Sequence, residues 1–187
     1  MNTIQQESVS SEETIVRLLH QAWVVNGVLQ QTAFELRNGE TYLSVNRPAI
    51  DTFSADVISF LEHHPEYRTA PQNSSYRKAS LNVGEVRGID IHLDDQKLEV
   101  EVAVEPRSSH IKSHAGIFTR VEGANIKGGQ SNPINMGNDK ILSANMILQK
   151  MRWHLLQLAQ VCTCVLPEFQ CAADKHPSRL FDGSSLP

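Results

Sequence analysis

Cysteine is scarce in this chain of 187 residues, and the three that occur, Cys162, Cys164 and Cys171, all fall near its end. An odd set of thiols cannot close a disulfide framework within one molecule, which favours a reducing compartment. The N-terminal segment MNTIQQESVSSEET lacks the basic and apolar regions of a secretory signal, and no apolar run is long enough to span a bilayer. The sequence therefore predicts a cytoplasmic protein without a membrane segment.

Positive charge is also limited. The chain has 17 Lys and Arg against 21 Asp and Glu, a formal net charge of -4, and no dense basic cluster. Nucleic acid is therefore not favoured as a partner. A 40% apolar content at this length can bury the core of one domain. We predict a single domain over residues 1–187, with a polar segment at 1–9 and a tail at 172–187 that shows no pattern of an ordered element.

Familiar phosphate-binding motifs are absent too. The glycine-rich segment GANIKGGQSNPINMGNDK lacks both the Gly-Lys-Ser/Thr of a P-loop and a GxGxxG pattern. It predicts a long connecting loop in which Lys127 is solvated. No nucleophile elbow and no pair of acids at fixed spacing defines a reaction, so no cofactor and no metal are expected.

A long apolar stripe is the clearest positive feature. Its members recur at intervals of three and four residues, which predicts one helix over residues 139–165 with a buried face. The partner of that face is either the protein's own sheet or a second chain. The stripe comprises Ile141, Ala144, Leu148, Met151, Leu155, Leu158, Cys162 and Val165.

The N-terminal region predicts a second helix that packs on the same core. Ser10 and Glu13 have the spacing of a capping box, and apolar residues from Ile15 to Trp23 share one helical face before Asn26-Gly27. A shorter helix is predicted from Ala55 to His63, with Ser54 as its N-cap.

Alternating apolar residues in the middle of the chain predict antiparallel strands. Asn38-Gly39 marks a hairpin turn, and HAGIFTRV predicts a strand. A further hairpin turns at residues 94–97, and its opposite face would set Asp90 across from Glu101, which suggests a nearby cation. The predicted facing pairs of this hairpin are Leu93 with Leu98, Ile91 with Val100 and Ile89 with Val102. Together these elements predict an α+β fold, in which a mostly antiparallel sheet packs against an N-terminal helix and a long C-terminal helix.

Two histidines lie four residues apart in SSHIKSHAG. On a strand or loop, His110 and His114 would be too far apart to share a metal. His114 is either a structural histidine beside a close approach at Gly116 or a catalytic acid or base at the start of a strand. We expect His114, rather than His110 or His92, to be the histidine that matters for any activity.

A second cluster joins the cysteines to a histidine. Cys162, Cys164, Cys171 and His176 have donor types that suit zinc, but their spacing matches no established zinc pattern. We expect the cysteines to be small apolar residues at a helix end.

Short segments between Val28 and Val121 resemble a family of small, largely uncharacterised bacterial proteins. Members carry a Ser-Val strand segment, a small helix and a later His-Ala segment, which correspond here to Leu43-Ser44-Val45 and His114-Ala115-Gly116. The resemblance implies no activity. It does suggest that Ser44, Asn46, Arg47 and His114 meet in one cleft.

Two classes of function remain open. Strong packing signals without an assembled catalytic motif favour a small bacterial accessory or binding module that acts through a protein partner, or that self-associates through the C-terminal helix. The alternative is a histidine-dependent enzyme or ligand sensor for a phosphate-containing or nucleotide ligand. In that case His114 is catalytic, while Ser44, Arg47 and His110 bind the ligand. Clustering of these residues around a pocket would favour the enzyme or sensor.

Overall fold

An antiparallel sheet with helices on both faces forms the centre of the computed structural model, which describes residues 9–69, 75–93, 96–97, 100–106, 111–130, 134–135, 141–165 and 170–172. The helices are α1 (Phe53–His63), α2 (Val83–Arg87) and α3 (Ala144–Leu158). The sheet contains β1 (Thr14–Leu19), β4 (Leu43–Asn46), β5 (Ser75–Asn82), β8 (Val100–Pro106), β9 (His114–Val121), β10 (Ala124–Asn125), β13 (Gln160–Val165) and β14 (Gln170–Ala172).

Pairs of two-residue strands lie outside this sheet. They are β2 (Val24–Val25) with β3 (Val28–Leu29), β6 (His92–Leu93) with β7 (Gln96–Lys97), and β11 (Ile134–Asn135) with β12 (Ile141–Leu142). Within the large sheet the order is β10-β9-β4-β1-β5-β13-β14, and β8 also pairs with β9. The predicted α+β class with a mostly antiparallel sheet is confirmed. No helix in the described ranges has the length and apolar character to cross a membrane.

The first element is a strand, so the predicted N-terminal helix is wrong. β1 lies in the middle of the sheet and pairs with β5 along its whole length. Ile15 and Leu19 are buried on one face, while Val16 and Leu18 are buried on the other. A central strand covered on both faces has no polar alternation, and its apolar run then resembles a helical stripe.

The C-terminal stripe is divided between two elements. α3 ends at Leu158 and the chain continues into β13, so the single helix predicted over residues 139–165 is wrong. Val161, Thr163 and Val165 are β-branched at alternate positions, which suits a strand, and β13 pairs with β5 along six residue pairs. The buried face of α3 itself packs within the chain, through Ala144, Ile147, Leu148, Met151 and Leu155.

Two apolar layers cover the sheet. The larger contains the α3 residues together with Ile15, Leu19 and Leu81. The smaller lies on the other face, where Phe53, Val57 and Leu61 of α1 pack on β1 and Tyr76. Helix α1 agrees with its sequence prediction at its end, His63, but it begins two residues earlier, at Phe53, and its N-cap is Thr52 rather than the predicted Ser54.

The middle strands are confirmed only in part. β9 matches the predicted HAGIFTRV strand. Leu93 pairs with Gln96 rather than Leu98, and Val100 pairs with Val121 of β9 rather than with Ile91. The predicted hairpin register is therefore wrong, because β8 gains more pairing along β9 than a local hairpin offers. Glu101 lies opposite Arg120 of β9 and not opposite Asp90 as predicted, and Arg120 Nη1 lies 3.3 Å from Glu101 Oε1.

Candidate functional site

A cavity of about 270 Å³ opens on the α1 face of the sheet, where strands β1 and β4 separate. The two strands pair at one position, Val16 with Asn46, and no further ladder joins them. Side chains from both strands, from α1 and from the segment before β9 line the space. The polar ones are Arg17, Arg37, Glu40, Ser44, Asn46, Asp56 and His114.

Arg17 occupies the gap between the two strands. Its Nε donates to the Ala33 carbonyl and its Nη1 donates to the Ser44 carbonyl at 2.7 Å. The guanidinium also lies over the Trp23 ring, 4.9 Å from the ring centroid. Loss of solvent around the guanidinium lowers the pKa of Arg17 to about 10, against the opposing influence of Tyr67 and Glu40. The hydrogen bonds of this cation therefore go to neutral carbonyls, and the charge of Glu40 acts on it from a longer distance.

Ser44 and His114 form a hydrogen-bonded pair at the cavity surface. Ser44 Oγ lies 2.7 Å from His114 Nε2, and the hydroxyl donates to this nitrogen when the ring proton is on Nδ1. The pairing of β4 with β9 explains the contact, because Asn46 is opposite His114 and Ser44 lies two residues away on the same face. Ser44 is exposed and His114 is half-buried.

The loop before His114 is anchored to α1. Asp56 Oδ2 accepts hydrogen bonds from the Ser113 amide at 3.2 Å and from the Ser113 hydroxyl at 2.7 Å. Ser113 is fully buried, so these bonds fix the backbone directly before the histidine. Thr52 Oγ1 donates to the same carboxylate oxygen at 2.9 Å, so Asp56 Oδ2 accepts three hydrogen bonds.

Aromatic side chains form one wall of the cavity. Phe60 and Tyr67 meet edge to face with centroids 5.0 Å apart, and Trp23 and Tyr67 do so at 5.8 Å. Leu18 and Val57 add aliphatic surface. The site therefore combines an apolar wall with a small number of polar groups, which is the usual composition of a small-molecule site.

The structure brings some of the predicted residues together and separates others. Ser44, Asn46 and His114 line the cavity, whereas Arg47 does not. The Arg47 side chain is 5% exposed and forms a double hydrogen bond with Glu13, at 3.0 and 2.9 Å. His110 lies outside the described residues.

The close approach expected at Gly116 is made by a side chain. A β-carbon on Gly116 would lie 2.6 Å from the Tyr42 ring, so only glycine leaves room for this ring against β9. The Tyr42 ring centroid is in turn 6.0 Å from that of His114. Tyr42 therefore supports one side of the histidine.

Sequence reasoning missed Arg17 and the aromatic wall. The available signal was a single cation inside the apolar run TIVRLL, since a buried strand rarely carries an Arg unless the charge has a role. The aromatic residues come from three separate segments, and no local pattern connects them.

The cysteines lie on a strand and not at a helix end as predicted. Cys164 is buried, and its Sγ lies 3.8 Å from that of Cys162. The side chain of Cys171 and the whole of His176 are outside the described part. Among the residues that the structure does describe, no group of three His, Cys, Asp or Glu side chains is placed to hold a metal ion.

Comparisons of the chain with family models, with curated proteins and with solved structures gave no match. The case for a function therefore depends on the cavity itself.

Proposed function

We propose that the protein binds a small anion with a planar ring, of the phosphate-containing or nucleotide class, in the cavity between β1 and β4. The charge on Arg17 is the observation that supports this proposal. Its guanidinium donates to two backbone carbonyls, and no carboxylate of the described chain lies within ion-pair distance of it. A partly buried cation whose direct hydrogen bonds go only to neutral carbonyls favours an anionic ligand.

The acidic side chains of the cavity accept hydrogen bonds from other residues, so Arg17 remains available to bind the anion. Asp56 accepts hydrogen bonds from Ser113 and Thr52, and Glu40 accepts one from the Arg37 amide at 2.8 Å. Both carboxylates are thus stabilised by other donors. The guanidinium of Arg17 can form two parallel hydrogen bonds to a phosphate or carboxylate if the ligand replaces a carbonyl contact or uses the remaining nitrogen.

The volume of the cavity and its aromatic wall indicate which kind of group carries the anion. A cavity of about 270 Å³ has the size of a small-ligand site. Trp23, Phe60 and Tyr67 offer apolar and aromatic surface to a planar body. A substituted phenyl ring or a nucleobase on an anionic group satisfies both conditions.

Calorimetric titration with phenyl phosphate and adenosine 5′-monophosphate tests the proposal, with phenol and adenosine as uncharged counterparts. We expect the anions to bind and Arg17→Met to weaken them by roughly 10- to 100-fold, the effect of losing one charge-assisted contact. Lys127→Met makes the same charge change at an exposed residue that does not line the cavity, and should bind normally.

Arg17→Lys provides a second test if the methionine variant does not fold. It keeps the charge but loses the planar donor pair, so it should bind with intermediate affinity. Wild-type protein that binds neither anion, or an Arg17→Met variant that folds and binds both normally, would refute the proposal.

Action through a protein partner is a second proposal, and exposed apolar residues on α3 favour it. Met146 and Trp153 are each 45% exposed and are seven residues apart, on one side of the helix. If this surface mediates self-association, Trp153→Ser should lower the mass measured by sedimentation at high protein concentration. A wild-type mass that stays monomeric at every concentration would argue against self-association.

A further inference from the structure

Three polar side chains on one face of the β4–β9 pair have the types that acyl transfer requires. Ser44 Oγ and His114 Nε2 are 2.7 Å apart, which is the contact of a hydroxyl nucleophile with its base. Asn46 lies directly opposite His114 and two residues from Ser44, and all three line the same cavity.

The amide of Asn46 is available to a ligand. Its side chain makes no hydrogen bond to any other residue that the structure describes, although it is half-buried in the cavity wall. A carboxamide N–H is one of the donors that stabilise the oxyanion of a tetrahedral intermediate. Asn46 is therefore suited to receive the negative charge that develops when Ser44 attacks a carbonyl.

The histidine is also held in place, as a base must be. Asp56 fixes Ser113 directly before it, and the Tyr42 ring lies beside it. A histidine that only satisfied a surface serine would not need an anchored loop and an aromatic support on a neighbouring element.

We propose that the protein is a serine hydrolase for small carboxylic esters that carry an anionic group on a planar ring. Ser44 is the nucleophile, His114 the base, Asn46 the oxyanion donor and Arg17 the anchor of the anionic group. This inference builds on the anion-binding function proposed above and adds a reaction to it. Phosphoryl transfer is not part of the proposal, because the single amide donor, Asn46, matches the single negative charge on the oxyanion of a tetrahedral acyl intermediate.

The reaction has two balanced steps. In the first, Ser44 Oγ bonds to the ester carbonyl carbon while its proton moves to His114 Nε2, and the alcohol leaves with that proton when the carbon–oxygen bond breaks. In the second, His114 removes a proton from water, the hydroxide attacks the acyl-serine, and Ser44 leaves with the proton. The products are a carboxylic acid and an alcohol, with no oxidation or reduction.

The test uses 4-acetoxyphenyl phosphate as substrate and phenyl acetate as its uncharged counterpart. Wild-type protein should release acetate from the phosphate-bearing ester and prefer it over phenyl acetate. Ser44→Ala and His114→Asn should each lower kcat by at least about 100-fold, and Asn46→Ala by roughly 100- to 1,000-fold. Arg17→Met should chiefly raise KM, since it removes an interaction with a part of the substrate that does not react.

Three measurements separate chemistry from folding and from binding. All variants should keep the wild-type melting temperature within a few degrees, and the serine, histidine and asparagine variants should still bind phenyl phosphate. Mass spectrometry should find one added acetyl group on Ser44 in the wild type and none at this position in Ser44→Ala. Ser54→Ala and His63→Asn alter exposed residues outside the cavity and should hydrolyse the ester normally.

The possible failures are distinguishable. If the wild type and the serine, histidine and asparagine variants bind phenyl phosphate but the wild type hydrolyses the ester no faster than Ser44→Ala, the hydrolase proposal is refuted and the binding site stands. If wild-type protein binds neither phenyl phosphate nor adenosine 5′-monophosphate, the proposed function is refuted. If His114→Asn loses stability and keeps its rate, the histidine is structural and the reaction as written is wrong.

Discussion

Arg47 is a buried cation that pairs with Glu13 through two hydrogen bonds, and this contact ties the segment before β1 to the end of β4. Glu13 has a second role, since its Oε1 accepts the Ser10 amide at 2.8 Å. The hydrogen bond from Arg47 is the largest influence on Glu13 and lowers the pKa of this carboxyl below its ordinary value of 4.5. The pair therefore links the protonation of one residue to the stability of the fold.

The sign of the pH dependence follows from that direction. The unfolded chain takes up the proton at a higher pH than the folded protein, so the contribution of Glu13 is complete above its ordinary pKa and is lost as the pH falls through the folded value. Urea denaturation of the wild type should show a falling free energy of unfolding between about pH 5 and pH 3. Glu13→Gln should be less stable at neutral pH and show a smaller acid-dependent loss; an equal loss would contradict the linkage.

Gly116 allows a second test at the scale of single residues. Gly116→Ala would place a methyl group 2.6 Å from the Tyr42 ring and 3.0 Å from the Phe118 ring, so at least one ring must shift. We expect a loss of about 1–3 kcal/mol in the free energy of unfolding, the usual cost of overpacking. Combining it with Tyr42→Ser should recover part of that loss. A purely additive double variant would show that the ring is not the cause.

At the scale of elements, α3 owes its position to one buried face. Ile147, Leu148, Met151 and Leu155 lie in the larger core layer, while Asn145, Gln149 and Gln157 are exposed. The helix therefore packs by the periodicity that the sequence predicted, although it ends earlier. Its buried face is covered by the same chain, so any contact with another chain must use the opposite, exposed face.

A substitution of Leu155 tests how much the buried face of α3 contributes to the free energy of unfolding. It is 2% exposed and belongs to the larger core layer, so Leu155→Ala should lower the free energy of unfolding by about 2–5 kcal/mol through lost contacts and a residual cavity. Chemical denaturation measures the change, provided that the free energy of unfolding depends on denaturant concentration with the same slope in wild type and variant. Gln157→Ala, one half-turn away and exposed, should alter stability by less than about 0.5 kcal/mol. Equal effects for the two variants would contradict this packing.

At the scale of the whole molecule, the sheet separates two apolar layers that do not share buried side chains. α3 and α2 belong to one layer, and α1 belongs to the other, next to the cavity. Strand β1 contributes alternate residues to both. The cavity thus lies over the smaller layer, so a substitution of one of its polar residues affects the smaller part of the core.

This arrangement predicts that damage to the two layers is independent. Leu155→Ala in one layer and Leu61→Ala in the other should give free-energy losses that add within about 0.5 kcal/mol, because the residues lie on opposite faces and share no partner. Denaturation of the wild type, both single variants and the double variant gives this double-mutant cycle. A coupling well above that value would show that the layers respond as one.

The sequence by itself determined the elements whose pattern is local. The α1 helix, strand β9 and the buried face of α3 follow from residue spacing, and the α+β class follows from their combination. The family resemblance also suggested that Ser44, Asn46, Arg47 and His114 share one cleft, and of these all but Arg47 line the cavity. The tertiary structure decided what depends on distant pairing. Residues 14–19 and 160–165 are strands because both pair with β5, and a strand covered on both faces does not show the alternation that identifies strands. The cavity also depends on this pairing, since Arg17 enters it only where β1 and β4 separate. No local pattern encodes such a gap, because it results from which strands become neighbours.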